Sequence, residues 1–583
     1  MPEELRQWFW RELDTSECAP VKRFYLKLEV IEKSELSPFL RLLWMCRIIV
    51  ADRRVVWEHI SESFTDSFQK PVDMWNEQLA VKLLRVRLED SVDEPAATTL
   101  RVELHKHLTA VVKPPPTQAH PRAEAKKQCR DSEDCPYLIV PATEGKEGLI
   151  VCNGTLEPFG ELLRVSRKRM FFVDSVKVFC DLGRVIHDSP ELSDIIGGEE
   201  QLLVLALIYE RFVARTSHWK DLLLSCPTDF PTVPSYWSWN DLSGLYGLDV
   251  LDDVLAKQER LRQFHTEVTS VLPLIYDALE GCSGIEREEF MGHFTIENIM
   301  WARAVFDSRA FNLNVDGRVV LALVPCADMI NHSNHPDVLI RRVEPCGGDF
   351  VMQVGAGLAR EDVGRELGMS YGPLQNWELL QHYGFVLDDN EHDKLPFPFD
   401  VHEADGGECA RTSAIATDAS HTLDIDKEWD KRRASLVQKY SLHLAGSCWI
   451  GYSGIPPPAL IALMRIHLAQ AEEFASLERH GPFTRVSHCT ELEIIAVIAE
   501  TVRCIIELPT DPDGDVDHAE GCEGSVGSEA LAEEVTDDIV TNTRNVTLCK
   551  VLRRGLERIG NRCLEWCSAR AAAIETEKIK QAV

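Results

Sequence analysis

With 583 residues, 45% of them hydrophobic, the chain is long enough for several domains and apolar enough to bury sizeable cores, which excludes wholesale disorder. Its 94 acidic residues against 62 basic give a formal net charge of −32. Such a chain repels phosphate backbones, so direct nucleic-acid binding is not expected, and a partner with a basic or lysine-bearing surface is.

Residues 1–112 carry apolar side chains at three- and four-residue intervals (Trp8, Phe9, Leu13, Phe24, Leu28, Leu40, Leu43, Trp44), which predicts a mostly helical extension. Glu3, Glu4, Glu12 and Asp14 make its start unlike an acid-poor transit peptide. The longest apolar runs, around Ile48–Val50 and Leu202–Ile208, are too short to span a bilayer. A soluble protein of the cytoplasm or nucleus is expected, with a chloroplast location only if a transit segment is missing. Lys113-Pro114-Pro115-Pro116 opens a charged, Pro-rich stretch, 113–135, that reads as a linker.

Short apolar runs broken by Gly and Pro from Pro136 to about Gly183 predict small strands and turns. A helical pattern follows from Leu202 to about Gly292. Strands return between Phe311 and Phe385, notably Val319–Val324 and Phe350–Val354. From about Pro456 helices dominate: Ala459–Ala471, Glu491–Leu508 and Asn545–Ala569. The segment 511–538 interrupts them with eleven acids and no Lys or Arg. Its alternating aspartates suggest a calcium loop, but the sixth position is Val516 and the twelfth Cys522, where Gly and Glu are needed. A solvated loop is expected there. The eighteen cysteines include no CxxC pair, which fits reduced thiols and implies no zinc.

The chemistry-bearing residues fall in ordered blocks. Trp301-Ala302 and Ser308-Arg309-Ala310-Phe311 come first, then Asp328-Met329-Ile330-Asn331-His332-Ser333 after an apolar strand. Ser370-Tyr371-Gly372 follows, and then Asn376-Trp377-Glu378-Leu379-Leu380, ending in Tyr383-Gly384-Phe385. Together these resemble the signature blocks of the SET-domain methyltransferases, in the branch typified by the Rubisco large-subunit methyltransferases. A competing dinucleotide-type loop, Val354-Gly355-Ala356-Gly357-Leu358, has Arg360 at its third glycine position.

The resemblance covers about 136–583. It implies an α+β chain: a SET fold of small β-sheets with a knot-like C-terminal segment over 136–395, carrying a helical insertion at about 185–290. An all-α substrate-binding domain over 396–583 would follow, and the helical extension would precede. The implied activity is transfer of methyl from S-adenosylmethionine to a lysine side chain of a non-histone protein, with no metal, by a monomer. The alternatives are a histidine-directed methyltransferase and an inactive SET-fold interaction module.

Such a transfer requires a neutral amine aligned about 3 Å from the methyl carbon, although a free lysine has a pKa of roughly 10.4. By resemblance, Tyr371 is the catalytic tyrosine, its hydroxyl placed where amine and methyl meet. Ser308, Arg309, Asp328, Asn331, His332, Tyr371, Tyr383 and Phe385 would contact cofactor, Arg309 through the cofactor's carboxylate. Phe311, Tyr383 and Phe385 would wall the substrate channel, and an apolar Phe311 matches lysine-directed members. Gly148 and Leu149 align with the family's glycine turn, with the departure that two residues separate Gly145 from Gly148.

Overall fold

The computed structural model describes residues 2–89, 95–112, 136–140, 149–279, 285–398, 423–442, 448–507 and 542–582. The expected linker at 113–135, the glycine turn with Gly148 and the acidic segment 511–538 lie outside the described residues. The chain divides into two compact units: Lys113–Asp388 with Pro509–Arg553, and Met1–Val112 with Asp389–Leu508 and Arg554–Val583.

Among its described residues the first unit holds ten short strands: β1 (Tyr137–Val140), β2 (Leu149–Cys152), β3 (Glu161–Val165), β4 (Phe171–Phe172), β5 (Phe311–Val315), β6 (Arg318–Leu323), β7 (Asn331–His332), β8 (Val338–Val343), β9 (Phe350–Val354) and β10 (Gly368–Met369). They form a β1–β2 pair, a five-stranded sheet in the order β3-β9-β8-β10-β7, and a three-stranded sheet in the order β4-β6-β5. Strand alternation explains the layering. In β5, Phe311, Leu313 and Val315 point inward while Asn312 and Asn314 face solvent. Asp316 and Gly317, both at positive φ, close the tight β5–β6 turn, as a two-residue hairpin connection requires. The sheets share a core of Leu163, Phe172, Leu313, Val320, Phe350 and Met352.

The strand texture expected to run to Gly183 ends at Phe172. Helices Val173–Phe179 and Asp181–Asp188 take over, because Val173, Val176, Leu182 and Ile186 recur at helical spacing and are buried. The insertion is helical as expected. Its helix Glu199–Ile208 is buried all round from Leu202 onward, so it forms the centre of a bundle, against Trp219, Leu272 and Phe306 among others. Helix Ile296–Arg309 then leads directly into β5.

The second unit is mainly helical, from Glu3–Asp14 to Pro95–His107 and again in Pro458–Leu468, Ala471–His480 and His488–Ile506. It also contains a two-stranded antiparallel sheet, β11 (Lys394–Phe397) with β12 (Cys448–Gly451), which no helical pattern announces. Trp44, Trp57, Phe64 and Phe474 are fully buried in it. Two bidentate ion pairs are buried here, Arg47 with Glu77 and Arg465 with Glu491. Each closes two polar groups on one another so that neither is left unpaired away from water. No helix of the described residues is long and apolar enough to cross a membrane.

Candidate active site

The expected site residues lie in segments far apart in sequence, and one crossing brings most of them together. β7 and β10 pair in parallel, Asn331 beside Gly368 and His332 beside Met369. That register sets the Asn-His block against the Ser-Tyr-Gly block. The backbone N–H of Tyr371 donates to His332 Nδ1 at 3.1 Å, and His332 Nε2 lies 3.0 Å from Asn334 Oδ1. An Nδ1 that accepts leaves the proton on Nε2, so the ring is held as the neutral Nε2–H tautomer. Burial pushes the His332 imidazole down to about 4, which keeps it neutral across the physiological range.

Tyr371 donates its hydroxyl to the Ile330 carbonyl at 3.1 Å. Its ring faces Tyr383 at 4.6 Å between centroids, and Phe385 lies 6.2 Å from Tyr383 and 6.1 Å from His332. The aromatic wall is built by a short helix, Asn376–Tyr383, whose start is fixed by Glu378 accepting from the Gln375 N–H at 2.8 Å. The buried Asn376 side chain accepts from the Leu387 N–H at 2.7 Å and donates to the Leu387 carbonyl at 2.9 Å. Gly384, at φ 74°, ends the helix in the left-handed conformation, so Tyr383 and Phe385 flank a sharp turn. A Cβ on Gly384 would meet Thr232 Oγ1 at 2.4 Å.

Arg309 is the last residue of its helix, and its Nη1 donates to Asp328 Oδ2 at 2.9 Å and to Met329 Sδ at 3.7 Å. Burial pushes the Asp328 carboxyl up, and the neighbouring guanidinium pulls it only part of the way back. Arg309 Nη2 and Nε make no hydrogen bond among the described residues, and Asp328 Oδ1 is buried without a partner. Those open donors suit a ligand carboxylate and the orphaned oxygen suits a donor, so the set fits a ligand with an amino-acid end. Asn331 Nδ2 is held by Glu366 Oε1 at 2.8 Å. Ser308 donates back into its own helix, to the Ala304 carbonyl at 2.6 Å. Phe311 opens β5, buried, with Phe350 at 5.8 Å. Leu149 begins β2, where the next carbonyl, Ile150, accepts from the Leu367 N–H at 2.8 Å, beside the start of β10.

Two features escape a motif reading. Behind the crossing, Arg365 pairs with Asp337 at 2.6 and 2.9 Å and with Asp362 at 3.2 Å, while Asp337 accepts from the Gly368 N–H at 3.0 Å. This network anchors the start of β10. The second is Arg341 on β8, half-buried, with Nη1 3.8 Å from Met369 Sδ and its guanidinium 5.9 Å from the Phe311 ring centre. Burial lowers its basicity, and the Tyr383 and Tyr371 hydroxyls are near enough to act on its charge. Strand alternation holds the available signal: Arg341 is in phase with Leu339 and Val343, whereas Arg342 faces solvent.

Small paired sheets with this crossing and a helical insertion have the arrangement of a SET fold. The structure of Rubisco LSMT bound to sinefungin and monomethyllysine matches with a TM-score of 0.50 and 17% identity, over 76% of this chain and 89% of that one. The relatives in sequence point the same way. The ribosomal lysine N-methyltransferase set10 of Schizosaccharomyces pombe is 29% identical over 192 residues, 32% of this chain and 31% of that one. The actin-histidine N-methyltransferase of Gallus gallus is 25% identical over 286 residues, 46% of this chain and 45% of that one. Protein SET DOMAIN GROUP 40 of Arabidopsis thaliana is 26% identical over 268 residues, 42% of this chain and 50% of that one. The chain therefore spans half or less of the length of these relatives. No family model matches the sequence. In fold the chain is similar to Rubisco LSMT, and in sequence to SET-domain methyltransferases.

Proposed function

We propose that this chain is an S-adenosylmethionine-dependent protein N-methyltransferase, with a lysine side chain of another protein as acceptor. The observation that carries this reading is the parallel β7–β10 register, which joins Asn331 and His332 to Tyr371 within one small cluster. S-adenosylmethionine, when bound, supplies a methyl group on a positively charged sulfur. Arg309 would hold its amino-acid end and Asn331 would contact it, while His332 orients the backbone at Tyr371.

The Tyr371 hydroxyl and the Ile330 carbonyl, 3.1 Å apart, form a polar point on an otherwise aromatic wall. A hydroxyl there aligns the acceptor nitrogen by hydrogen bonding and stabilises charge as it develops in the transition state. Phe311, Tyr383 and Phe385 supply apolar walls that exclude water, which suits the methylene stem of a lysine. The related proteins set10, a ribosomal lysine N-methyltransferase, and Rubisco LSMT, bound to monomethyllysine, support lysine.

A histidine acceptor is the second reading. It is favoured by the actin-histidine relatives and by Arg341, a cation against the acceptor wall that tolerates a neutral imidazole better than an ammonium. Incubation with labelled S-adenosylmethionine and a fractionated extract, followed by mass mapping of the labelled protein, separates the two. A mark on lysine supports the first reading, one on histidine the second, and none at all counts against methyl transfer.

A further inference from the structure

We infer that Arg341 determines the charge state of the acceptor: its cation, set against Phe311, Tyr371 and Tyr383, bars a protonated nitrogen from the pocket and admits a neutral one. This rests on the methyl-transfer reading for what enters the pocket, and deepens it by naming the residue that selects the reactive form.

In the same unit Arg309 has Asp328, Arg365 has Asp337 and Asp362, and Lys257 and Arg303 share Asp307. Arg341 forms no ion pair among the described residues; its neighbours are a thioether and aromatic rings. The groups whose ionisation is coupled electrostatically to its charge are Tyr383, Tyr371 and the neutral His332. The carboxylates closest to the cluster are engaged elsewhere: Asp328 with Arg309, Asp307 with Lys257 and Arg303, Glu366 with Asn331, and Glu378 at the helix start. Among the described residues, no ion pair therefore cancels the positive potential that Arg341 places on the wall.

A partly desolvated cation without a counter-charge is costly to keep, and a packed strand could hold a leucine there instead. Its effect on an entering lysine is definite in sign. A like charge in a site of low dielectric disfavours the charged form, so the bound amine loses its proton to solvent more readily than in water. Only the neutral amine has the lone pair that attacks the methyl carbon. Arg341 thus excludes the unreactive form and shifts the bound amine toward the reactive one. For a histidine acceptor the same rule excludes imidazolium.

The test compares binding of free lysine and of norleucine, its neutral isostere, to the full chain with S-adenosylhomocysteine present, by ligand-observed NMR at pH 7. Wild type is set against Arg341→Met and Arg341→Gln. Both variants should bind lysine about fivefold more tightly than wild type, with norleucine unchanged, because only the ammonium feels the missing charge. Equal effects on both ligands would make Arg341 a packing residue and overturn the inference. Lysine affinity that stays unchanged, or no detectable lysine binding in either variant, would overturn it as well. Methyl transfer is assayed separately, so a chain that binds as described but transfers nothing contradicts the enzyme reading and leaves the charge selection standing.

Discussion

Tyr371 and His332, 39 residues apart in sequence, are joined by a hydrogen bond from the Tyr371 backbone N–H to His332 Nδ1 at 3.1 Å. The side chain of one signature block thereby holds the main chain of the other. The bond exists only while Nδ1 is unprotonated, so the charge state of the ring and the position of Tyr371 are one variable.

The first prediction follows from that bond. His332 should remain the neutral Nε2–H tautomer as pH falls, down to about 4, against an ordinary value of 6.5. The unfolded chain then takes up this proton first, so the contribution to stability is whole above pH 6.5 and is lost as pH falls toward 4. Histidine 15N spectra of wild type, assigned with His332→Gln, should show an unprotonated Nδ1 at pH 6. An imidazolium signal at that pH would refute the tie.

Arg309 and Asp328 provide the second. Arg309→Ala leaves a fully buried carboxylate without its only cation among the described residues, and removing one member of a buried pair costs about 3 kcal/mol or more. Arg309→Ala combined with Asp328→Asn should recover part of that loss. Urea unfolding of wild type and the two variants measures it; a double variant no more stable than the single would show that the pair is not coupled.

The aromatic turn yields the third. Gly384→Ala must adopt φ 74° and place a Cβ 2.4 Å from Thr232 Oγ1, so it should destabilise by about 2 kcal/mol. The turn between Tyr383 and Phe385 shifts with it, so affinity for free lysine should fall alongside stability. Thermal unfolding and ligand-observed NMR on the same sample report both.

The blocks around Asp328, Tyr371 and Asn376 were legible because each pairs unusual residues with a fixed local geometry: a strand exit, a tight turn, a capped helix start. Val319–Val324 and Phe350–Val354 announce themselves by β-branched and apolar runs, and they are strands β6 and β9 within a residue. The helical start at Val173 was hidden because its apolar residues follow two phenylalanines of β4, and a short apolar run carries no period of its own. Strands β11 and β12 pair across 50 residues of chain, a long-range choice that neither strand records locally. Arg341 was missed for a related reason. A strand arginine is ordinarily solvated, and only the neighbours supplied by β5 and β10 show that this one lies against Phe311 and Met369.

The most direct test of methyl transfer at this cluster is incorporation of label from S-adenosylmethionine into protein of a fractionated extract, comparing wild type with Tyr371→Phe. The substitution keeps the ring against Tyr383 and removes only the hydroxyl bonded to Ile330, at a stability cost of about 1 kcal/mol. Wild type should label a discrete protein band, and the folded variant should lose roughly a hundredfold in rate, the scale of one transition-state hydrogen bond. Equal labelling by both proteins would contradict the role given to Tyr371, and an unlabelled extract with wild type would contradict the reading of this chain as a methyltransferase.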